Sequence, residues 1–178
     1  MDEVVISPER ATDQVAIAEV VGRAFAHQPA VVDMVAAIRA SRRYRPGLAF
    51  VARVNDSVVG FVMLSGTDLV TMTGERWEVL TLTPLAVLPD HQRVGIGSAL
   101  VRAALHEADR RDEPLVVLEG SPSYYGRLGF KPAAAYGVTL ALPDWAPPEA
   151  AQVYLLSKYD ERLTGRIEYP PAIALLTA

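Results

Sequence analysis

Residues 85–101 read LAVLPDHQRVGIGSALV. An apolar run, Leu85 to Leu88, stops at Pro89. A polar turn follows, with Gly95 and Gly97 one residue apart, and then the spacing becomes helical. From Gly97 onward, Leu100, Val101, Ala104, Leu105 and Ala108 make one apolar stripe. Arg110 and Arg111 close it, where a helix dipole favours cations. A strand that runs into a glycine-bare helix start has two explanations. Either the turn needs a dihedral that suits glycine, or an anion lies against the exposed N–H groups.

Upstream, WEVLTLTPLAVL reads as a strand from Trp77 to about Leu88. Both of its faces are mostly apolar, as in a buried central strand. Pro84 lies inside it and cannot donate to a ladder, so the strand bulges or parts from its neighbour there. That frees the backbone of Leu85, Ala86 and Val87, which an amide-bearing ligand can pair with as an added strand would. Downstream, LVVLEG (Leu115 to Gly120) is a compact apolar strand, so Glu78 to Gly120 forms one parallel crossover, expected right-handed. SPSYYGRLGF reads as a short helix: Ser121 caps it, Pro122 takes the first helical position and Gly129 stops it.

The remaining chain fills in a sheet and its covering helices. VVI (Val4 to Ile6) is a short strand. Thr12 or Asp13 caps a helix carrying Ile17, Val21, Ala24 and Phe25. Pro29 opens a second helix with Val32, Val35, Ala36 and Arg39 along it. It ends in RASRRYRPG, whose arginines either complement the helix dipole or bind a charged ligand. LAFVARV and VVGFVMLSG flank NDS as a hairpin. Thr67 to Arg76 reads as a polar loop. VTLAL and QVYLLS read as late strands around the proline-rich PDWAPPEA, and the tail GRIEYPPAI as lying over the surface. The expected class is α/β (α+β): a mixed, mostly antiparallel sheet with helices on its faces.

The totals bound the function. The chain has 178 residues, enough for one domain with its own core. A hydrophobic fraction of 51% argues against disorder. A net charge of −4 argues against a nucleic-acid or anionic-membrane binder. With no cysteine, thiolate chemistry and disulfides are excluded. Three scattered histidines make no metal constellation. MDEVVISPERATDQ has neither a basic nor an apolar leader region, and no run approaches the ~18 apolar residues of a membrane span. A cytoplasmic protein is expected.

Residues 92–98 are not a Walker loop, because the GK[ST] ending is missing. They are not a dinucleotide fingerprint, because Leu100 fills the third glycine position. Free strand amides next to a phosphate cradle suit a pantetheine arm joined to a pyrophosphate, which is the shape of coenzyme A.

LAVLPDHQRVGIGSALV resembles the acyl-CoA-binding motif of the GNAT N-acetyltransferase superfamily, Q/R-x-x-G-x-G/A, filled here by Gln92, Gly95 and Gly97. YYGRLGF resembles the family's later signature, in family order and spacing. The resemblance covers roughly residues 4–157, with 158–178 as a C-terminal extension of a single acyl-CoA N-acyltransferase domain. It is closest to a bacterial branch of predicted acetyltransferases. It implies a sheet splayed at a bulged central strand, acetyl-CoA as co-substrate, no metal, and direct acetyl transfer to a primary amine of a small molecule or peptide. Dimers are frequent in the superfamily, so a homodimer is a further expectation.

The resemblance also implies roles. The backbone of Leu85, Ala86 and Val87 would bind the pantetheine arm, and an N–H near Val87 the oxyanion. Backbone N–H groups of Arg93, Val94, Gly95, Ile96, Gly97 and Ser98 would hold the pyrophosphate. Tyr125 would protonate the departing thiolate, with Tyr124 pointing about 100° away on the helix. The base that takes the amine proton is Glu119, Glu78 or a water relay. Tyr44, Trp77, Tyr136, Trp145 and Tyr154 fall in the segments that form acceptor pockets. Two rivals stand: a CoA-binding regulatory module that has lost its chemistry, and an unrelated nucleotide-phosphate binder.

Overall fold

The hairpin forms from β2 (Ala49–Val54) and β3 (Ser57–Val70). A computed structural model describes residues 3–177. The hairpin turn places Asn55 and Asp56 at φ 47° and 65°, the paired left-handed geometry that matches strand twist in a two-residue loop. β1 (Val4–Pro8) adds antiparallel to β2, from Val4 opposite Val54 to Pro8 opposite Phe50. With β4 (Arg76–Val87), β5 (Leu115–Glu119), β6 (Lys131–Pro132), β7 (Val138–Thr139), β8 (Ala151–Leu155) and β9 (Gly165–Glu168), the strand order is β1-β2-β3-β4-β5-β8-β6, and β9 pairs β3 and β7. The parallel ladders are β4 with β5 and β7 with β9. Antiparallel ladders join β1 to β2, β2 to β3, β3 to β9, and β8 to both β5 and β6. Helices complete the mixed, mostly antiparallel fold.

The chain forms two compact units, Met1–Leu64 with Thr83–Glu107, and Ser65–Leu82 with Ala108–Ala178. β3 and β4 (Arg76–Val87) contribute residues to both. In the first unit, α1 (Gln14–Ala24) buries Ile17, Val20 and Val21. α2 (Ala30–Arg39) buries Val31, Met34, Val35 and Ile38. Of the residues read along it, Val35 is buried, Val32 half-buried and Ala36 exposed. Asp13 is the N-cap residue of α1, as read, but its side chain makes no capping bond to the helix; its Oδ2 accepts from Arg10 N at 2.8 Å and Arg53 Nη2 at 2.7 Å. The arginines after α2 turn inward. Arg39 grips both oxygens of Glu9, Tyr44 donates to Glu9 at 2.7 Å, and Arg45 donates to the carbonyls of Arg42 and Tyr44. The end of α2 is thereby tied to Glu9, just past β1, a structural role that neither reading of the run named.

In the second unit, β5 (Leu115–Glu119), β8 (Ala151–Leu155) and β9 (Gly165–Glu168) enclose an apolar cluster that includes Leu69, Leu115, Val117, Val153 and Ile167. Two expectations are corrected here. Thr67 to Val70 are not loop: β3 continues to Val70, with Leu69 and Val70 buried, because Asp68–Val70 find partners in Arg166–Glu168. The GRIE tail does not lie over the surface but is β9 itself, seated by Ile167, and Thr67 Oγ1 donates to Glu168 O at 3.0 Å. VTLAL shrinks to β7 (Val138–Thr139), and β6 (Lys131–Pro132) is an added edge pair on β8. α5 (Pro171–Thr177) ends the described chain.

Candidate functional site

The opening stretch folds as read. β4 ends at Val87, a 3-10 turn spans Pro89–His91, and α3 (Ile96–Arg110) begins after the glycine turn. Its stripe of Leu100, Val101, Ala104, Leu105 and Ala108 is buried. Arg93 has φ 63° and Gly95 φ 92°. A Cβ added at Gly95 would meet nothing within 4 Å, so the dihedral and not crowding calls for glycine. Gly95 O accepts from Ala99 N at 3.0 Å, which makes Gly95 the first link of the helix. The N–H groups of Ile96 and Gly97 therefore lie in the first turn, the part of a helix whose donors point away from it. Left-handed residues just ahead of such a turn shape a backbone concavity suited to anions. Gln92 to Gly95 are exposed. Gln92 Nε2 donates to Val87 O at 2.9 Å and ties the turn to the strand end. Leu88 N donates to Val59 O at 2.9 Å and ties that end to β3.

β4 and β5 pair in parallel at Leu80–Val116 and Thr81–Val117, ahead of Pro84. Beyond those pairs, Leu118 and Glu119 remain laddered on the β8 side. The backbone of Leu85 to Val87 thus follows a proline rather than a continued β5 ladder.

The second unit holds a different group. Ser121 caps α4 (Pro122–Gly126) by accepting from Tyr124 N, as its sequence foretold. The chain then folds back, and Phe130 N donates to Tyr125 O at 3.1 Å. The spacing of five residues brings the rings edge to face at 5.6 Å, and Phe130 packs on Tyr154 at 5.3 Å. A Cβ on Gly120 would stand 2.5 Å from Tyr125 Cε2, so the Tyr125 ring rests on bare backbone. Gly120 is itself pinned: its N–H donates to Ala150 O at 3.0 Å and its carbonyl accepts from Gln152 Nε2 at 3.1 Å. Burial, with a smaller contribution from Tyr124, pushes the Tyr125 phenol well above its ordinary pKa.

Glu119 ends β5, one residue before Gly120. Its Oε1 is buried with no hydrogen-bond partner among the described residues. Burial raises the carboxyl above its ordinary pKa, and a hydrogen bond from Tyr169 draws it partly back. Tyr169 in turn is raised by burial, by the negative charge of Glu119 and by donating to it, while Thr81 opposes the shift by bonding the phenol oxygen.

Among the sequence candidates, the first unit joins Leu85–Val87 to Gln92–Ser98, and the second joins Glu119 to Tyr125 through Gly120. Glu78 is not in that group. It is exposed near the start of β4, level with residue 114 by the parallel register. Five residues at ~3.3 Å each separate it from Glu119 along the strand direction, about 16 Å. Of the five expected pocket aromatics, Tyr44 is bound to Glu9, Tyr136 stacks on Tyr159 at 6.2 Å and Tyr154 on Phe130; Trp77 and Trp145 are exposed. Sequence reasoning missed Tyr169, Gln152 and Gly120. No periodicity links residue 169 to 119, so only the pairing of β9 reveals that contact.

Among the described residues, no helix is long and apolar enough to cross a membrane, and no cluster of three or more His, Asp or Glu could hold a metal. The family model for the acetyltransferase (GNAT) domain matches residues 6–133. The uncharacterized N-acetyltransferase YjhQ of Escherichia coli is 33% identical over 120 residues, 66% of this chain and 64% of its own. The similarly uncharacterized N-acetyltransferase YhbS of Escherichia coli is 31% identical over 115 residues, 63% of this chain and 65% of its own. The match thus spans just under two thirds of these curated relatives. A crystal structure of Escherichia coli YhbS in complex with CoA superposes with TM-score 0.85 at 26% identity, covering 98% of this chain and 93% of that one. A GNAT family acetyltransferase from Brucella melitensis in complex with acetyl-CoA gives TM-score 0.76 at 25% identity, covering 97% and 99%. With the domain model spanning well over half of its length and the glycine turn, the strand end and the YYGRLGF fold-back all in family order, the chain belongs to the GNAT acetyltransferase family.

Proposed function

We propose that this protein binds acetyl-CoA along the β4–α3 element and passes the acetyl group directly to a primary amine of a small molecule or peptide. The observation that carries the reading is the pair of left-handed residues, Arg93 and Gly95, opening α3 directly after a strand end. It is supported by structural neighbours that contain CoA or acetyl-CoA. Main-chain groups of Leu85, Ala86 and Val87 would hold the pantetheine arm. The N–H groups of Arg93 through Ser98 would hold the pyrophosphate, with the Arg93 guanidinium adding a charge-assisted contact. Gln92 acts by locking the turn onto Val87 O.

Tyr125 is the acid in this reading. Its raised pKa keeps the phenol protonated, so it can give its proton to the sulfur as the C–S bond breaks. Glu119 is the base and takes the proton that the amine nitrogen loses as its bond to the acyl carbon forms. It is favoured over Glu78 because its Oε1 is buried without a partner among the described residues and burial raises its proton affinity. One proton leaves nitrogen and one reaches sulfur, so the transfer balances without a covalent enzyme adduct. Calorimetry with acetyl-CoA, followed by thiol release against an amine panel, tests the proposal. Binding heat with amine-dependent thiol release is expected. Absence of heat at millimolar acetyl-CoA overturns it, and binding without release from any amine favours the regulatory rival.

A further inference from the structure

We infer that Tyr169 is the positioning residue for Glu119: its phenol holds one carboxylate oxygen and leaves the other, Oε1, free to receive the proton of the attacking amine. The inference rests on Glu119 as the base of the proposed reaction.

Three observations on one unit carry it. First, Glu119 Oε1 is buried and unpartnered among the described residues. Burying a carboxylate oxygen without a donor is costly, and such vacancies concentrate where a donor arrives during function. Second, the Tyr169 hydroxyl is spent on this carboxylate. It donates to Glu119, and that bond opposes the rise that burial gives the carboxyl. Third, the backbone that carries Tyr169 is fixed. The residue directly follows β9, which pairs with β3 through Glu168 opposite Asp68, and Thr67 holds Glu168 O. The ring packs against the apolar cluster that also contains Val117 of β5.

Among the described residues, no cationic side chain contributes to the titration of Glu119. Ala151 of β8 stands opposite Glu119 in the ladder, and α4 sets the Tyr125 ring on Gly120 beside it. Gln152 is turned to Gly120 O. Burial and Tyr169 alone account for the displaced titration of Glu119. Because the phenol donates to the charged carboxylate, it favours that form. Removing it therefore moves Glu119 to titrate at higher pH.

Tyr169→Phe keeps the ring and its packing and removes only the hydroxyl. Two readouts test it. Carbon-13 NMR of the Glu119 carboxyl in the free protein, assigned with Glu119→Gln, is expected to titrate at higher pH in the variant than in wild type. The acid limb of kcat/KM for a single amine is expected to move the same way, with acetyl-CoA affinity unchanged. The amine's own ionisation is common to both proteins, so a difference between them belongs to the enzyme. An unmoved carboxyl titration overturns the inference, as does a moved titration with an unmoved acid limb. The NMR arm needs no acetyl-CoA. A wild-type protein that turns over while Tyr169→Phe leaves the titration in place sinks this inference alone, whereas one that never turns over sinks the acetyltransferase reading.

Discussion

The Tyr125 ring lies on the bare Cα of Gly120 and edge-on to Phe130, contacts that a phenylalanine would retain. Tyr125→Phe thus isolates the hydroxyl. Steady-state kinetics with calorimetry are expected to show turnover falling by about 100-fold with acetyl-CoA affinity unchanged. Equal loss of both would assign the residue to binding. Asp13 supplies a stability test. Burial pushes its carboxyl up, but the hydrogen bonds from Arg53 and the Arg10 N–H, with their charges, hold it below its ordinary 3.8. A carboxyl depressed in the fold contributes fully above that value and loses its contribution as pH falls through the folded pKa. The Asp13 and Arg53 side chains are only 7% and 15% exposed, so Asp13→Asn strands a largely buried cation. A loss of about 2 kcal/mol is expected at neutral pH. In thermal melts the gap from wild type is expected to narrow below pH 3.8; a constant gap would point to packing instead of charge.

Elements with local signals were the ones legible in the sequence. The hairpin announced itself by its Asn-Asp turn, α3 by a five-residue stripe, and α4 by Ser121, Pro122 and Gly129, and all three form where read. β9 was not legible. Only Ile167 of its four residues is buried, so it carries no alternation to read, and its partners lie about a hundred positions upstream. For the same reason the site was half legible. The turn that would cradle phosphate is continuous in sequence, while the Glu119–Tyr169 contact depends on β9 docking. That docking has a tight point, since a Cβ on Gly165 would stand 2.1 Å from Val70 O. Gly165→Ala is expected to cost about 2 kcal/mol and lower Tm by about 5 °C. Hydrogen exchange would locate the loss, with Arg166–Glu168 amides exchanging faster than those of β5.

For the whole molecule, a ligand that binds only the folded chain stabilises it by mass action. Acetyl-CoA at a hundredfold excess over its Kd is expected to add about 2.7 kcal/mol, or roughly 5–10 °C in Tm. ATP and NAD at equal concentration are expected to leave Tm unchanged. Amide protection concentrated in residues 85–98 would tie the gain to the β4–α3 element, and equal shifts with all three nucleotides would favour the phosphate-binder rival.

The family match stops at residue 133, yet β8, β9 and Tyr169 all come after it. A gene trimmed to the matched stretch would strip β5 of its antiparallel neighbour and leave Glu119 wet. Conversely, grafting the last forty or so residues between relatives offers a dial for the proton affinity of that carboxylate, turned from outside the matched family domain.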